Sequence, residues 1–501
     1  MNAGLDASTD VAVDGGPGRL PDRSRSVPAV AAAVTILLLV LADRYGPHRD
    51  ELYFIAAGHH LQWGYPDQPP LTPLIALLAD QVAHGSLLAL RFVPALIAGA
   101  VVLLTAGFAR ELGGDRRAQL LTAITLATGA GVLAIGHLLE TTTLDLLAWT
   151  VVIRLLVAVL HRDTPRGWLL VGLATGIGLE NKSLIGPLVA ALTIGILVTP
   201  SVRHHLRSPW FWGGAGIAAV LALPNLWWQA SHGWPQSTLA GSIRDEYETV
   251  GGILQLIVLQ FVILSLLASV LIVVGLVALW RRREWDFARP VAVAYVVLNV
   301  FLLITGGKEY YLIGLLGMLA AAGSVVLVQN WSFRRVVVFG SALAVLALAL
   351  DPGFVPVLPV KTFANSFYAG IDDDGLETVG WPRVVDQVHG VIAALPAAQR
   401  ATAVVVTLNY GEAGALEWYG GSPSVFSGHN GFGDWGPPTS PGPVIYVGEQ
   451  APAANALTGC RRAATLNTGV DNEENGHGIW VCTGPAGSWP QAWKRLRHLS
   501  A

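Results

Sequence analysis

Residues 49–74 read RDELYFIAAGHHLQWGYPDQPPLTPL. A paired acid, Asp50-Glu51, opens an aromatic and proline-rich run just after the first apolar stretch, VPAVAAAVTILLLVLA at 27–42. If that stretch crosses a bilayer, the pair stands where lipid meets water. A carboxylate there is partly desolvated yet reaches polar molecules, the setting in which a general base is tuned by its surroundings. Leu52, Ile55, Ala56 and His59 recur at helical spacing, so a short interfacial helix starts near Asp50. Aspartate is also a favoured N-cap residue, so capping and base chemistry both stand as readings of Asp50. Tyr53, Phe54, Trp63 and Tyr65 fit either an interfacial aromatic belt or a substrate-facing wall.

The 501 residues are 53% hydrophobic and 13% charged, against roughly 25% charged in soluble domains. This is the composition of an integral membrane protein. A bilayer core of about 30 Å takes about 20 residues of helix, and lipid offers the backbone no hydrogen-bond partners. Apolar runs of that kind recur to residue 350, without the alternation of a membrane barrel. The expectation is a polytopic α-helical membrane protein with about eleven transmembrane helices and a C-terminal soluble α/β domain. The spans fall near 28–42, 87–109, 118–136, 143–160, 167–181, 184–199, 209–224, 251–280, 289–305, 311–328 and 336–350.

Arginines cluster in alternate connections, at 23 and 25, 116 and 117, 162 and 166, 203 and 207, 281–283, and 334 and 335. The positive-inside rule makes those connections cytoplasmic. A first loop at 43–86, a second at 225–250, Lys308 and residues 351–501 then face outward. Residues 1–26 read as a disordered cytoplasmic tail, and residues 27–350 as the membrane domain. Val40-Leu41-Ala42 resembles a signal-cleavage site, but an uncleaved anchor suits a chain that reads as one polytopic unit. Beyond residue 350, short β-branched runs at 401–408 and 443–449 suggest strands of an α/β domain. An oxidising compartment would permit a disulfide between Cys460 and Cys482; two unpaired buried cysteines are the alternative. The net charge of −3, with no basic tract, gives no reason to expect nucleic acid as a partner.

Polar groups at the outward ends of spans are the other candidates, because charge inside a membrane is expensive and faces a cavity or a partner. Glu140 and Asp145 lie in GHLLETTTLDLLAW at 136–149; Glu180, Asn181 and Lys182 form a tight turn; Lys308, Glu309, Tyr310 and Tyr311 open a later span. Local ion pairing, Glu180 with Lys182 and Lys308 with Glu309, is the plainer account of any one group. The second loop, Trp227–Val250, carries Arg244, Asp245 and Glu246 and reads as a lid or as a tryptophan-anchored connector. His429, Asn430, Asp434 and Trp435 form a polar and aromatic cluster suited to carbohydrate or to turn-making. His59 and His60 read as helix residues, and no clustered ligand set demands a metal or other cofactor.

Together, Asp50-Glu51, PPL at 69–71, the TxxD-like start of the fourth span ending at Asp145, GLENK at 178–182 and KEYYL at 308–312 resemble the GT-C membrane glycosyltransferases. The likeness is to glycosyltransferase family 39, which includes lipid A aminoarabinose transferases and protein O-mannosyltransferases. NYGEAGALEWYG at 409–420 and GHNGFGDWGPP at 428–438 look like the tail of actinobacterial-type members. The resemblance implies transfer of a sugar from a polyprenyl-phosphate carrier in the membrane to a glycan, lipid or protein acceptor at the outer face, with inversion. It implies Asp50, with Glu51 beside it, as the catalytic acid pair. Lys308 and Lys182, then Arg49, Arg244, Tyr310 and Tyr311, are the donor-phosphate candidates. Asp67, Gln68, Glu140, Asp145, His429 and Trp435 are the sugar or acceptor candidates. Related lipid A transferases carry lysine just before the PPL motif, where this chain has Gln68, so a phosphate contact expected there is in doubt. A transporter or lipid-linked sugar flippase is the competing expectation, although the charges cluster outward rather than at the midplane of repeated halves.

Overall fold

A computed structural model describes residues 20–247, 250–370, 374–453 and 455–500. Residues 1–19 of the expected tail lie outside these. The rest of that tail is ordered rather than disordered. The Ser24 N–H donates to Gln119 Oε1 at 3.0 Å, and Arg110 donates to the Pro21 carbonyl at 2.7 Å.

The helical part runs α1 (Val27–Leu41), α2 (Arg49–His59), α3 (Leu71–Val82), α4 (Leu87–Glu111), α5 (Arg116–Ala127), α6 (Ala130–His137), α7 (Thr141–Arg162), α8 (Trp168–Leu179) and α9 (Ile185–Val198). It continues with α10 (Pro209–Ser231), α11 (Pro235–Tyr247), α12 (Val250–Val262), α13 (Ala268–Arg281), α14 (Arg289–Thr305), α15 (Ile313–Asn330) and α16 (Phe333–Leu350). Among the described residues four helices are long and apolar enough to cross a membrane, or five spans if the bent pair α5–α6 counts as one, where about eleven were expected. Others, such as α1, α9, α13 and α14, are apolar but shorter.

Two expected spans are broken. The 118–136 stretch bends by 58° between α5 and α6, and 251–280 divides into α12 and α13. Irregular backbone survives at membrane depth only where protein covers it. Here the two breaks cover each other, the Gly131 N–H donating to the Ile263 carbonyl at 2.7 Å. The expected 209–224 span instead continues through Pro224 to Ser231.

Helix α15 is the central one, buried along nearly its whole length and built of Gly, Ala and Leu. A Cβ added at Gly275 would collide with the Leu319 carbonyl, and one at Gly323 with that of Leu271, so α13 and α15 meet backbone to backbone. Lipid gives no hydrophobic drive between helices, and such close packing holds them together.

After α16 come α17 (Val360–Ala364), α18 (Trp381–Ala393), α19 (Ala397–Arg400), α20 (Tyr410–Tyr419), α21 (Asn430–Asp434) and α22 (Trp489–Leu496). The strands are β1 (Val404–Thr407), β2 (Val425–Ser427), β3 (Val444–Gly448), β4 (Leu457–Thr458), β5 (Arg461–Thr465), β6 (Gly478–Cys482) and β7 (Gly484–Pro485). Five of them form a mixed sheet in the order β2-β1-β3-β6-β5. Strands β1, β2 and β3 run parallel, while β6 is antiparallel to both β3 and β5. A disulfide joins Cys460 to Cys482 beside the β5–β6 pair.

Alternate residues of the central strands bury opposite faces. Val405, Ile445 and Val447 pack under α18 and α20, whereas Val404, Val406 and Tyr446 pack against Trp489 and Trp493 of α22. Leu52 of α2 belongs to the first of these cores. Helix α20 approaches α2 closely enough that a Cβ at Gly414 would press on Leu52 and one at Gly411 on Arg49. The loop at 43–86 and the tail therefore share a core, so a border at residue 350 does not separate their packing.

Candidate active site

Asp50 and Glu51 are neighbours with opposite surroundings. Glu51 is 0% exposed. Arg91 Nε donates to its Oε1 at 3.0 Å and Arg91 Nη2 to its Oε2 at 2.7 Å. The backbone N–H groups of Leu139 and His48 fill the remaining positions at 3.1 and 2.9 Å. A carboxylate with four donors and no solvent has nothing left for a substrate. The catalytic assignment of Glu51 is therefore corrected: it ties α2 to α4 and to the start of α7.

Asp50 does not cap its helix. His48 does, its Nδ1 accepting from the Asp50 N–H at 3.3 Å. This releases the Asp50 carboxylate, whose Oδ1 accepts from the Tyr410 hydroxyl at 2.7 Å; no other side-chain bond to it is seen among the described residues. Burial, and then the Asp50 charge, hold the Tyr410 phenol well above its usual range, so it stays a donor.

Asp50 is within electrostatic reach of Lys182, Glu140 and Tyr310. Lys182 Nζ donates to Thr142 Oγ1 at 3.1 Å and lies 5.6 and 5.0 Å from the Tyr310 and Tyr311 ring centres. Burial pulls its pKa below the lysine range, with Asp145 and Glu140 opposing, while Lys308 repels it from nearby. Burial, then Asp374 and Asp50, push Glu140 upward. Lys182, Thr142, Asp145, Trp149, Tyr310 and Tyr311 line one pocket, and there the buried Asp145 has Trp149 as its neighbouring side-chain donor. The Lys182 turn is built by the motifs that flank it: the Leu71 N–H donates to the Glu180 carbonyl at 2.9 Å, and Asn181 joins Thr72 and the Thr141 carbonyl, each at 2.7 Å.

Asp50 also lines a cavity of about 410 Å³ together with His48, Arg49 and Tyr410. Arg49 is not placed as a free phosphate contact; it pairs with Glu473 and stacks over the Tyr410 ring. His429 stacks on Tyr410 at 4.5 Å, accepts the Tyr410 N–H at Nδ1 and meets Ser500 Oγ at 2.8 Å through Nε2. Burial pushes its pKa down to about 3, so it stays neutral with the proton on Nε2.

Asp67 is a second carboxylate nearby, taking the Tyr53 hydroxyl at 2.9 Å and Asn430 Nδ2 at 3.2 Å. Burial raises its pKa to about 7. Gln68 is 3% exposed, and both polar atoms of its amide lack a partner among the described residues. Trp435 lies on the edge of the group, stacked on His60 at 4.2 Å, and the backbone of Arg244 lies against Gly306 near Lys308.

Tyr410 and His48 were not singled out from sequence, whereas Tyr53 and Asn430 were named there as part of an aromatic run and of a polar cluster. Tyr410 stands in the quoted NYGEAGALEWYG stretch, but nothing local ties it to Asp50. Among the described residues one acid–histidine group is tight enough to consider for a metal, namely Asp163, His204 and His205. His205 Nδ1 accepts from the Trp168 indole at 3.3 Å, which leaves its Nε2 carrying the proton that a metal ligand must lack.

Residues 67–228 match the family described as dolichyl-phosphate-mannose-protein mannosyltransferase. The fold is similar to that of ArnT from Cupriavidus metallidurans in the apo state, with TM-score 0.59 and 14% identity over 91% of this chain and 97% of that one. It is likewise similar to the same protein bound to undecaprenyl phosphate, with TM-score 0.60. Arabinofuranosyltransferase AftD from Mycobacteria matches with TM-score 0.50 and 14% identity over 93% of this chain and 41% of its own. No curated protein sequence matches. The likeness to GT-C membrane glycosyltransferases read from the sequence motifs is thus borne out in the fold, and the chain is a multi-pass membrane protein.

Proposed function

From the premise of a GT-C glycosyltransferase fold, we propose that this protein transfers a sugar from a polyprenyl-phosphate carrier to an acceptor hydroxyl at the outer face of the cytoplasmic membrane. The observation that carries the reading is the position of Asp50. It lines a polar cavity large enough for a second substrate and lies within electrostatic reach of a buried lysine that lines a neighbouring pocket.

Asp50 takes the proton from the acceptor hydroxyl as its oxygen attacks the anomeric carbon. The bond from that carbon to the phosphate oxygen breaks, and the electron pair leaves with the lipid phosphate. A single displacement of this kind inverts the anomeric centre. Phosphate is a stable leaving group, so the protein needs to neutralise charge more than to protonate it. Lys182, with Lys308 near it, supplies that charge, and Tyr310 and Tyr311 supply the walls. Tyr410 fixes one oxygen of Asp50 and leaves the other for the acceptor. Asp67, Gln68, Glu140, Asp145 and His429 are placed in this reading as sugar or acceptor contacts, with Trp435 at the rim.

The test is reconstitution. Purified protein in lipid nanodiscs, given a panel of polyprenyl-monophosphate sugars and an envelope extract, is expected to release polyprenyl phosphate and form a glycoside of inverted configuration. Mass analysis of envelopes with and without the gene identifies the acceptor. Movement of intact donor across vesicles without any glycosidic product would contradict the reading and favour a flippase.

A further inference from the structure

The hydrogen bond between Asp50 and Tyr410 joins residues 360 positions apart, one on α2 and one in the first turn of α20. The start of α20 is fixed by its own cap, Asn409 Oδ1 accepting the Glu412 N–H at 2.8 Å. A cap places the backbone of Tyr410 but not its ring, which turns about two side-chain bonds. Other groups have to aim the hydroxyl. The ring stacks on Tyr53 at 4.7 Å and on His429 at 4.5 Å.

Tyr53 follows Asp50 by three residues on α2, so the two side chains share a face of that helix. It is 1% exposed. Its hydroxyl donates to Asp67 Oδ1 at 2.9 Å and accepts the Gly431 N–H at 3.1 Å, so the phenol is held both as donor and as acceptor. A Cβ added at Gly431 would stand 2.6 Å from the Tyr53 hydroxyl, so the tail backbone is pressed against the tip of this ring. Anchored there, Tyr53 is a fixed wall for the Tyr410 ring.

Asn430 completes the anchor. Its φ is 44°, a left-handed backbone that asparagine tolerates better than most residues. Its amide Nδ2 reaches Asp67 Oδ2 at 3.2 Å and the Ser500 carbonyl at 3.0 Å, while its Oδ1 accepts the Ser500 N–H at 3.2 Å. Asp67 belongs to the 43–86 loop, whereas Asn430, Gly431 and Ser500 belong to the tail. One carboxylate therefore takes Tyr53 on one oxygen and Asn430 on the other, and ties loop to tail beside Tyr410. Backbone held in a sparsely populated conformation by several bonds at once is a feature that clusters at functional sites.

Resting on the reading of Asp50 as base, we infer that Tyr53 and Asn430 are positioning residues for the transfer. Bonded through Asp67 and Gly431, they fix the register of the loop on the tail and hold the Tyr410 hydroxyl on Asp50. Neither has to touch donor or acceptor. Their effect on turnover passes through the one bond between Tyr410 and Asp50.

The test uses full-length protein in nanodiscs with the donor and acceptor found active in reconstitution, and compares wild type, Tyr53→Phe, Tyr410→Phe and the double variant. Tyr53→Phe keeps the stacked ring and loses the anchoring hydroxyl. It is expected to lower kcat by roughly three- to tenfold and to leave the KM for donor within about twofold of wild type. In the Tyr410→Phe background the same change is expected to lower kcat by less than about twofold more, because the bond it serves is already gone. Should Tyr53→Phe fold poorly by thermal scan, Asn430→Gly provides the second arm. Glycine accepts the left-handed backbone but lacks the amide, and the same comparison with Tyr410→Phe applies. A wild-type kcat in the folded variant, losses that multiply in the double variant, or an effect confined to the KM for donor would each overturn the inference and leave the transferase reading standing. A folded wild-type protein that transfers no sugar from any donor would overturn both.

Discussion

Asp50 and Glu51 share a helix turn and a chemistry, yet the fold gives one of them everything a carboxylate can accept and the other almost nothing. Glu51 receives two bonds from Arg91 and two from the backbone, out of contact with solvent. Asp50 receives one, from Tyr410, and faces a cavity. Residue type therefore does not assign the role here. What separates a strut from a reacting group is how completely its bonding capacity is used, and the same distinction runs through the site: Asn181 is satisfied on both ends, while Gln68 and His48 each keep a buried polar atom unmatched among the described residues.

The largest effect should come from breaking the satisfied partner. Arg91→Met leaves the Glu51 carboxylate buried without its cation and is expected to destabilise the protein by about 3–5 kcal/mol. A second change, Glu51→Leu, should recover much of that loss, because two apolar groups of similar size replace the pair without an orphaned charge. Thermal unfolding in detergent micelles measures both. If Arg91→Met unfolds at the wild-type temperature, Glu51 is not the strut described.

Tyr410→Phe sharpens the other half of the comparison. It removes the one hydrogen bond to the Asp50 carboxylate seen among the described residues, a bond to a charged group of roughly 1.5–3 kcal/mol. The outcome expected is about a tenfold or greater fall in kcat, with unfolding temperature little changed, in the same transfer assay. A loss of stability with kcat intact would make Tyr410 a packing residue.

The extent to which this contrast was legible follows chain distance. The helical membrane part follows from apolar runs, since lipid forces each run to satisfy its own backbone. The Lys182 turn was visible as GLENK because its residues are contiguous. The separation of Asp50 from Glu51 was not, because Arg91 lies 40 residues away and Tyr410 lies 360. His48 as the cap was hidden by the stronger capping preference of aspartate two positions on. The breaks near Gly129 and Ile263 were invisible for a similar reason: each is stabilised by the other, across the bundle.

The smallest effect is on the pH dependence of stability. Asp67 titrates at about 7 in the folded protein, against 3.8 for an unperturbed aspartate. Between those values the folded state holds a proton that the unfolded chain has released. The contribution of Asp67 is thus fully present below about pH 4 and is lost as pH rises to about 7. Asp67→Asn should flatten this part of the fall. Unfolding temperatures of the two proteins from pH 4 to 8 would show their difference changing across that window; a constant difference would contradict the burial of Asp67 against Tyr53.

Deprotonation of the acceptor by Asp50 is the central step, and its direct measurement is sugar transfer by Asp50→Asn alongside its binding of polyprenyl phosphate. Transfer should fall by a factor on the order of 10²–10⁴, with unfolding temperature and lipid-phosphate affinity near wild type. Transfer at the wild-type rate by a correctly folded Asp50→Asn protein would contradict it.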